Sequence, residues 1–456
     1  MKKSILEKIA SAPAEVLERG VEISSDIGND IKEEKPVKLA REYWKILGPG
    51  MTTGAADDDP SGIATYSQTG AATGFSLIWL SVITYPLMGV VQEMCARIGL
   101  ATGLGLAANI KRYYSKKILY LCTVLLLFAN VFNIGANLGA MAEATQLLVP
   151  GINFALLVVG FAVFSLGLQV FVPYKRYAKY LKYLALVLLT YIFSAISIKM
   201  NWGDVLVHAV IPNLDFSRET IILVCAILGT TISPYLFFWQ TSQEVEEQIL
   251  KGEKTEAERR EDTTSLDIRD MRIDVWSGMF ISNMVMFFII ATCAATLYAN
   301  GIFNINTASE AAQALRPFAG DFAYILFAVG ILGTGFLSIP VLAGSASYAV
   351  SESFGWKQGL YRKLKQATSF YGVIIMAMVL GILLNFVGLN PIKTLIYSAV
   401  LNGLISPVIL FLIVLISSDE NIMGQWKSGA WSRVFGWATV LIMSLVSFTT
   451  LFFLFF

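Results

Sequence analysis
The chain has 456 residues, of which 55% are hydrophobic and only 15% charged, with a mean hydropathy of +0.63. Soluble domains carry about 25% charged residues, so this composition excludes an ordinary water-soluble protein; apolar runs near 20 residues recur along the whole length and predict an all-α polytopic membrane protein. A net charge of +1 gives no basis for nucleic-acid binding, and a single histidine, His208, argues against a zinc centre or a serine–histidine triad.

The first 40 residues are charged and helix-forming and lack an apolar core region, so residues 1–45 read as a cytoplasmic N-terminal arm rather than a signal segment. Eleven candidate spans follow, at 46–71, 76–104, 117–149, 153–172, 178–199, 220–249, 274–300, 319–351, 368–388, 393–417 and 434–455. Several are longer than a crossing needs, which implies tilt or helical extension. Cys95, Cys122, Cys225 and Cys293 lie in apolar runs and read as buried free thiols. Basic residues crowd one set of connections, around Lys111–Lys117, Lys175–Lys182, Lys251–Arg272 and Lys357–Lys365, and are scarce on the other, where His208 lies in a polar connection. The positive-inside rule then places the N-terminus in the cytoplasm, the C-terminus outside, and the segments 201–219 and 300–318 outside.

The first span contains "ADDDPSG", three adjacent carboxylates (Asp57, Asp58, Asp59) followed by Pro60, between small and apolar stretches. The sixth contains "LGTTISPYLFFWQ", broken at Pro234. Each is the first of five spans. Spans 1–5 (46–200) and 6–10 (219–418) therefore read as two repeats, inverted because each holds an odd number, with an eleventh span at 434–455. Proline- or glycine-interrupted segments at matching positions of two repeats point to a transporter's central site. A proline break frees backbone carbonyls that lipid cannot satisfy, and a charged side chain at the bilayer centre costs at least about 2.5–3.5 kcal/mol. Carbonyls beside a carboxylate suit a hard divalent cation. Asp59, directly before the break, is the expected first ligand. Asp57 and Asp58 point elsewhere, as vestibule groups or as groups behind the ligand, with one of them able to face the same aqueous vestibule; the competing reading is a surface turn of three solvated acids. On the sixth span, Thr230, Ser233 and Tyr235 offer hydroxyls and carbonyls, or merely satisfy a proline kink.

"GPGMTTGAADDDPSGIAT" resembles the first helix of the NRAMP family of divalent metal transporters, and the resemblance extends over residues 41–455. It implies a LeuT-type fold: two inverted five-helix repeats plus an eleventh helix, with helices 1 and 6 broken at mid-membrane. It implies inward movement of Mn²⁺ or Fe²⁺ coupled to protons. Asp59 matches the family's ligand aspartate. Gly62 stands at the ligand asparagine, Ser233 at the ligand methionine, Tyr235 at a histidine, and Thr230 at the residue whose carbonyl also ligates metal. In the third span, Asn137 and Ala140 replace two acids associated with proton passage.

Without a soft thioether, the basis for rejecting hard ions is lost. Glycine at 62 in place of the asparagine amide widens the site, and a wider, oxygen-only, acid-lined site suits a partly hydrated Mg²⁺. The chain thus looks most like the magnesium-transporting branch of NRAMP-related proteins. The expected function is uptake of Mg²⁺, with Mn²⁺ accepted, weak or no proton coupling, and no cofactor. One alternative is a proton-coupled Mn²⁺/Fe²⁺ importer; a second is a LeuT-fold carrier of an organic amine. An intramembrane aspartyl protease needs facing aspartates on two spans, and a sensor needs a larger soluble domain than the loop 250–273, so an enzyme or receptor is a poor fit. The partners expected are the metal ion and the bilayer, with the chain a monomer.

Asn402, before Pro407, is expected to bind a metal-bound water or to make a helix–helix hydrogen bond. Asn133 and Asn137 share one face of the third span. Glu143 could stand in for a lost acid and restore proton traffic. Glu93 and Arg97, spaced i, i+4, read as a structural ion pair. Glu244, Glu246 and Glu247 read as a solvated helix end. Gly135, Ala136, Gly139 and Ala140 form a small-residue packing face, and "SFTTLFFLFF" reads as lipid-facing.

Overall fold
The computed structural model describes residues 35–455 except 197, 199, 214, 306, 307, 389 and 390. Residues 1–34 of the expected arm lie outside the described residues; Lys35–Ile46 forms a helix. The chain divides after Leu47 into two compact units, and the second holds all eleven spans.

Among the described residues every regular element is helical. Span 1 is two half-helices, 1a (Pro49–Asp57) and 1b (Pro60–Thr73). Span 2 is Trp79–Thr102, span 3 Lys116–Leu148 and span 4 Phe154–Phe171. Span 5 starts at Tyr174–Leu184, tightens through a 3₁₀ turn and continues as Leu189–Ile196. Span 6 is again split, into 6a (Arg218–Thr231) and 6b (Pro234–Lys251). Span 7 is Ser265–Thr296, span 8 Ala308–Phe354, span 9 Thr368–Leu384, span 10 Pro391–Ser418 and span 11 Ala430–Phe455. The connection at 201–219 is not wholly irregular: a helix, Trp202–Val210, carries His208.

Hydropathy and burial sort the spans into inner and outer. Spans 6a and 6b are almost entirely enclosed, whereas spans 4 and 11 present most of their apolar surface outward, with Phe448 and Phe455 exposed to 72% and 79%. Water-soluble proteins rarely expose apolar faces of this extent, and a bilayer would cover them. The chain is a multi-pass membrane protein. The small face of span 3 packs as expected: a Cβ on Gly135 would meet Gly381 O of span 9 at 2.9 Å. All four cysteines are buried and free.

Span 1a is seamed to span 7 by glycine. A Cβ on Gly54 would lie 2.4 Å from the Gly278 carbonyl, and one on Gly278 2.3 Å from Gly50 O. Backbone meets backbone there, which only hydrogen side chains permit. At the start of 1a, Asp274 of span 7 accepts from Gly48 N (2.8 Å), Gly50 N (2.6 Å) and Met51 N (2.9 Å). Those amides have no partner inside the helix, and the carboxylate sits at the positive end of its dipole.

Candidate functional site
The two interruptions share one backbone solution. At the first, Asp58 (φ −82°, ψ 50°) leaves the helix, Asp59 (φ −69°, ψ 170°) is extended, and Pro60 opens the next half. At the second, Ile232 (φ −110°, ψ 59°), Ser233 (φ −85°, ψ 136°) and Pro234 repeat the pattern. Each proline occupies the first helical position, where a missing N–H costs nothing and the fixed φ favours a restart.

The breaks face each other. A Cβ on Gly62 would lie 3.1 Å from Thr230 Oγ1 and 3.2 Å from Asp57 O. The expectation that glycine at 62 widens the site is therefore corrected: the Thr230 side chain fills that space. The Tyr235 hydroxyl crosses from 6b and donates to Ala56 O (2.9 Å), one of the carbonyls left open at the end of 1a. Asp57, Asp58, Asp59, Thr230, Ser233 and Tyr235 are all buried. That rules out the surface turn of solvated acids.

Asp59 is the most heavily bonded of the three carboxylates. Its Oδ1 accepts from Ser61 Oγ (2.6 Å) and Gly62 N (2.8 Å), so it caps span 1b. Its Oδ2 accepts from Asn133 Nδ2 and Asn137 Nδ2 of span 3, both at 3.0 Å. Asn133 in turn accepts from Ser398 of span 10 (2.9 Å), and Asn137 donates to Ser338 of span 8 (3.2 Å). The capacity of a carboxylate is about four lone-pair sites, and here all four are engaged, so an ion binds Asp59 only when at least one of these bonds opens. Asp57 Oδ2 accepts from Ser282 Oγ of span 7 (2.8 Å). Asp57 Oδ1 and both oxygens of Asp58 are buried without a hydrogen-bond partner.

Ser233 turns back on its own half-helix, donating toward Gly229 O (2.6 Å) and Thr230 O (2.7 Å). Its oxygen retains acceptor capacity, and the Thr230 carbonyl retains one lone pair. Ile232 O, the other carbonyl opened by this break, accepts from Ser406 Oγ of span 10 (2.6 Å). The carbonyls freed by the prolines are thus held largely by hydroxyls of the protein.

Asn402 is 1% exposed, and neither amide atom has a partner; the expected helix–helix hydrogen bond is not made. It adjoins Gly403, against which Gly229 of 6a packs backbone to backbone, so it belongs to the second break. Glu143 is half-buried on span 3. It lies three residues, about one helical turn, beyond Ala140, the nearer of the two replaced acids.

Two outlying acidic groups also differ or agree. Glu244 and Glu246 are buried, not solvated: Glu246 accepts from Tyr348 Oη (2.5 Å), Leu360 N (2.7 Å) and Tyr361 N (3.2 Å). The connection after span 8 folds over that helix end and excludes water. Glu93 and Arg97 pair as expected, and Arg272 and Trp276 complete the set on Glu93.

Among the described residues no three His, Cys, Asp or Glu side chains converge on one point. The oxygens around the paired breaks come instead from single carboxylates, amides, hydroxyls and backbone. A family model described as Nramp, natural resistance-associated macrophage protein-like, matches residues 50–453. The chain belongs to this family. It is 26% identical over 413 residues to the divalent metal cation transporter MntH of Klebsiella pneumoniae, covering 90% of this chain and 93% of that one. To the MntH of Caldanaerobacter subterraneus subsp. tengcongensis it is 25% identical, covering 89% and 91%. In fold this Nramp member superimposes on the manganese transporter of Eremococcus coleocola with a TM-score of 0.69 at 20% identity, over 91% of this chain and 87% of that one. It also superimposes on Mhp1, a nucleobase-cation-symport-1 family transporter, with a TM-score of 0.51 at 14% identity, over 89% and 92%. The architecture is the LeuT type, with two inverted five-helix repeats and an added eleventh helix.

Three groups of the site have no separate signal in the sequence. Ser282, Ser406 and Ser398 are single hydroxyls in apolar helices, and only the packing of spans 7 and 10 against the breaks gives them roles.

Proposed function
We propose that the chain carries divalent metal ions across the membrane, with Asp59, Gly62, Thr230 and Ser233 forming the ion's position between the two breaks. The observation that carries this reading is the juxtaposition of a buried carboxylate break with a buried hydroxyl-and-carbonyl break, Gly62 against Thr230. The family, and relatives named as divalent metal cation transporters, support it. Asp57, Asp58, Tyr235, Asn402, Asn137 and Glu143 are proposed as surrounding groups.

The donors are all oxygen or amide. Position 233 offers a hydroxyl where a thioether would favour softer metals, so hard ions are not rejected on chemical grounds. On that basis we propose Mg²⁺ as a substrate alongside Mn²⁺. A proton-coupled Mn²⁺ or Fe²⁺ importer is the second reading, and the neighbour named for manganese supports it more directly than it supports Mg²⁺. Asn137 and Tyr235, neutral near pH 7, favour weak proton coupling instead. Uptake would then run on the membrane potential, which contributes about 2.3 kcal/mol per charge per 100 mV, and twice that for a divalent ion. We further propose that the N-terminus and the basic connections face the cytoplasm, and that residues 46–200 and 219–418 are the two repeats.

Flux into proteoliposomes with Mn²⁺, Mg²⁺ and Ca²⁺, alongside a pH-sensitive dye inside, separates the readings. Mg²⁺ and Mn²⁺ uptake without acidification supports the hard-ion reading. Mn²⁺ uptake that excludes Mg²⁺ and acidifies the lumen establishes the second. No divalent flux at all rejects both.

A further inference from the structure
The connection after span 8, residues 355–367, crosses the end of span 6b as a strap. Of these residues only Gly359, Leu360 and Ala367 are buried, and Trp356, Lys357 and Tyr361 are exposed. Polar bonds at a few points hold the strap in place. Leu360 N (2.7 Å) and Tyr361 N (3.2 Å) donate to Glu246 of span 6b, beside Tyr348 Oη of span 8 (2.5 Å). Gln358 Nε2 donates to Glu352 at the end of span 8 (3.0 Å). Glu352 also accepts from Ala108 N (2.9 Å) of the helix Leu106–Tyr113, which lies between spans 2 and 3. At the far end, Tyr371 Oη of span 9 donates to Arg362 O (2.7 Å). The backbone turns at Gly355 (φ +72°) and Gly359 (φ +117°), conformations that favour glycine. A Cβ at 359 would also come within 2.9 Å of Glu246 Oε1.

Beneath the strap the packing is incomplete. A cavity of about 360 Å³ is lined by Ser242 and Glu246 of 6b, Tyr348 and Glu352 of span 8, and Gln358 and Tyr361 of the strap. The strap is thus attached by hydrogen bonds with little buried apolar surface, which is the character of segments that open at low free energy. Span 6b itself is one uninterrupted helix, Pro234–Lys251. Glu246 stands thirteen residues beyond Ser233, about 20 Å along the axis at about 1.5 Å per residue. Holding the far end of 6b therefore orients the end that carries the second break. Along its length 6b leans on span 8, where a Cβ on Gly344 would lie 2.5 Å from the Trp239 ring. For 6b to part from span 8, Glu246 must give up Tyr348 and must either release the strap or drag it along.

We propose that residues 355–362 are a latch on the second broken helix: Glu246 holds the strap against 6b, and its release lets 6b part from span 8 and opens the ion's position toward the face that bears the strap. This deepens the metal-transport reading and rests on it. On the orientation proposed above, that face is the cytoplasmic one. Ion release is then governed by a contact remote from the ion's own ligands.

The test places a reporter in the gap. Ser242→Cys introduces a thiol on 6b in a residue 3% exposed, and its maleimide labelling is followed in the purified full-length chain in nanodiscs, with the labelled peptide identified by mass spectrometry. The buried native Cys225 of span 6a is the internal control. Glu246→Gln keeps the side chain's shape but leaves one acceptor oxygen for three donors. In that background the introduced thiol is expected to label about tenfold faster, with Cys225 unchanged. Tyr348→Phe removes one of the three bonds, and the rise expected is about threefold. Labelling that stays at the wild-type rate in Glu246→Gln overturns the latch, and so does an equal rise at Cys225, which reports general loosening. Should Glu246→Gln fail to fold, Tyr348→Phe decides alone by the same two criteria. Failure of the transport reading looks different: the wild-type chain then carries no divalent ion, whatever the labelling rates.

Discussion

The two breaks have the same backbone and opposite chemistry. At the first, the extended residue is Asp59, whose side chain reaches forward to cap span 1b. At the second it is Ser233, whose side chain reaches back to the carbonyls of 6a and leaves span 6b without a side-chain cap. One break therefore concentrates formal charge, and the other supplies dipoles. A site built from both attracts a cation through the first and gives the ion weaker, exchangeable oxygens through the second. That division suits an ion that must leave as well as arrive.

The sharpest way to break the comparison is Asp59→Ala. It removes the charge, uncaps span 1b and strips the acceptor from two buried amides. We expect metal flux to fall to background, and stability to drop by about 1 kcal/mol for the cap alone, with more for the unpaired Asn133 and Asn137. Proteoliposome flux and a thermal melt read the two effects separately; flux close to wild type would remove Asp59 from the site. At the other break, Ser233→Met exchanges a hydroxyl for a thioether. Preference should move toward Cd²⁺ on the order of tenfold, about 1.4 kcal/mol, measured as Cd²⁺ against Mg²⁺ competition. No movement would mean that the residue does not face the ion.

Tyr235→Phe tests the bond that joins the breaks. Losing one hydrogen bond to Ala56 O should cost about 0.5–1.5 kcal/mol of stability and slow flux modestly, without altering ion preference. A change in preference would make Tyr235 a direct ligand. The smallest effect is expected far from both breaks. Arg112 and Glu256 form a two-pronged, partly exposed pair (2.5 and 2.9 Å). Arg112→Ala should cost at most about 1 kcal/mol and leave flux unchanged. The hydrogen bonds from Arg112 hold the Glu256 carboxyl below the usual carboxylate range. Its contribution is therefore present above the unfolded pKa of about 4.3 and fades as pH falls through the lowered folded value. Melts of wild type and Arg112→Ala should converge only in strong acid.

Pro60 and Pro234 made both breaks legible, because a proline acts on its own backbone and needs no partner to be read. The eleven spans were legible for the same local reason. The Asp59 network was not: Asn133 and Asn137 lie 74 and 78 residues away, and only their shared helical face hinted at a common target. Glu246 misled because a charged residue at a span end normally meets water; here the amides of Leu360 and Tyr361, over 100 residues on, close over it. Gly62 misled because a missing side chain suggests space, and space in a close-packed interior is taken by a neighbour, in this case Thr230.

The glycine contact between span 1a and span 7 limits how the protein can move. With Gly50 and Gly54 pressed against Gly278, and Asp274 gripping three amides at the end of 1a, the two pieces form a single lever. Its fulcrum is the non-helical pair Asp58–Asp59. A stroke that moved this lever against span 1b would bend the chain where the carboxylates sit, and would couple access to the ion's position.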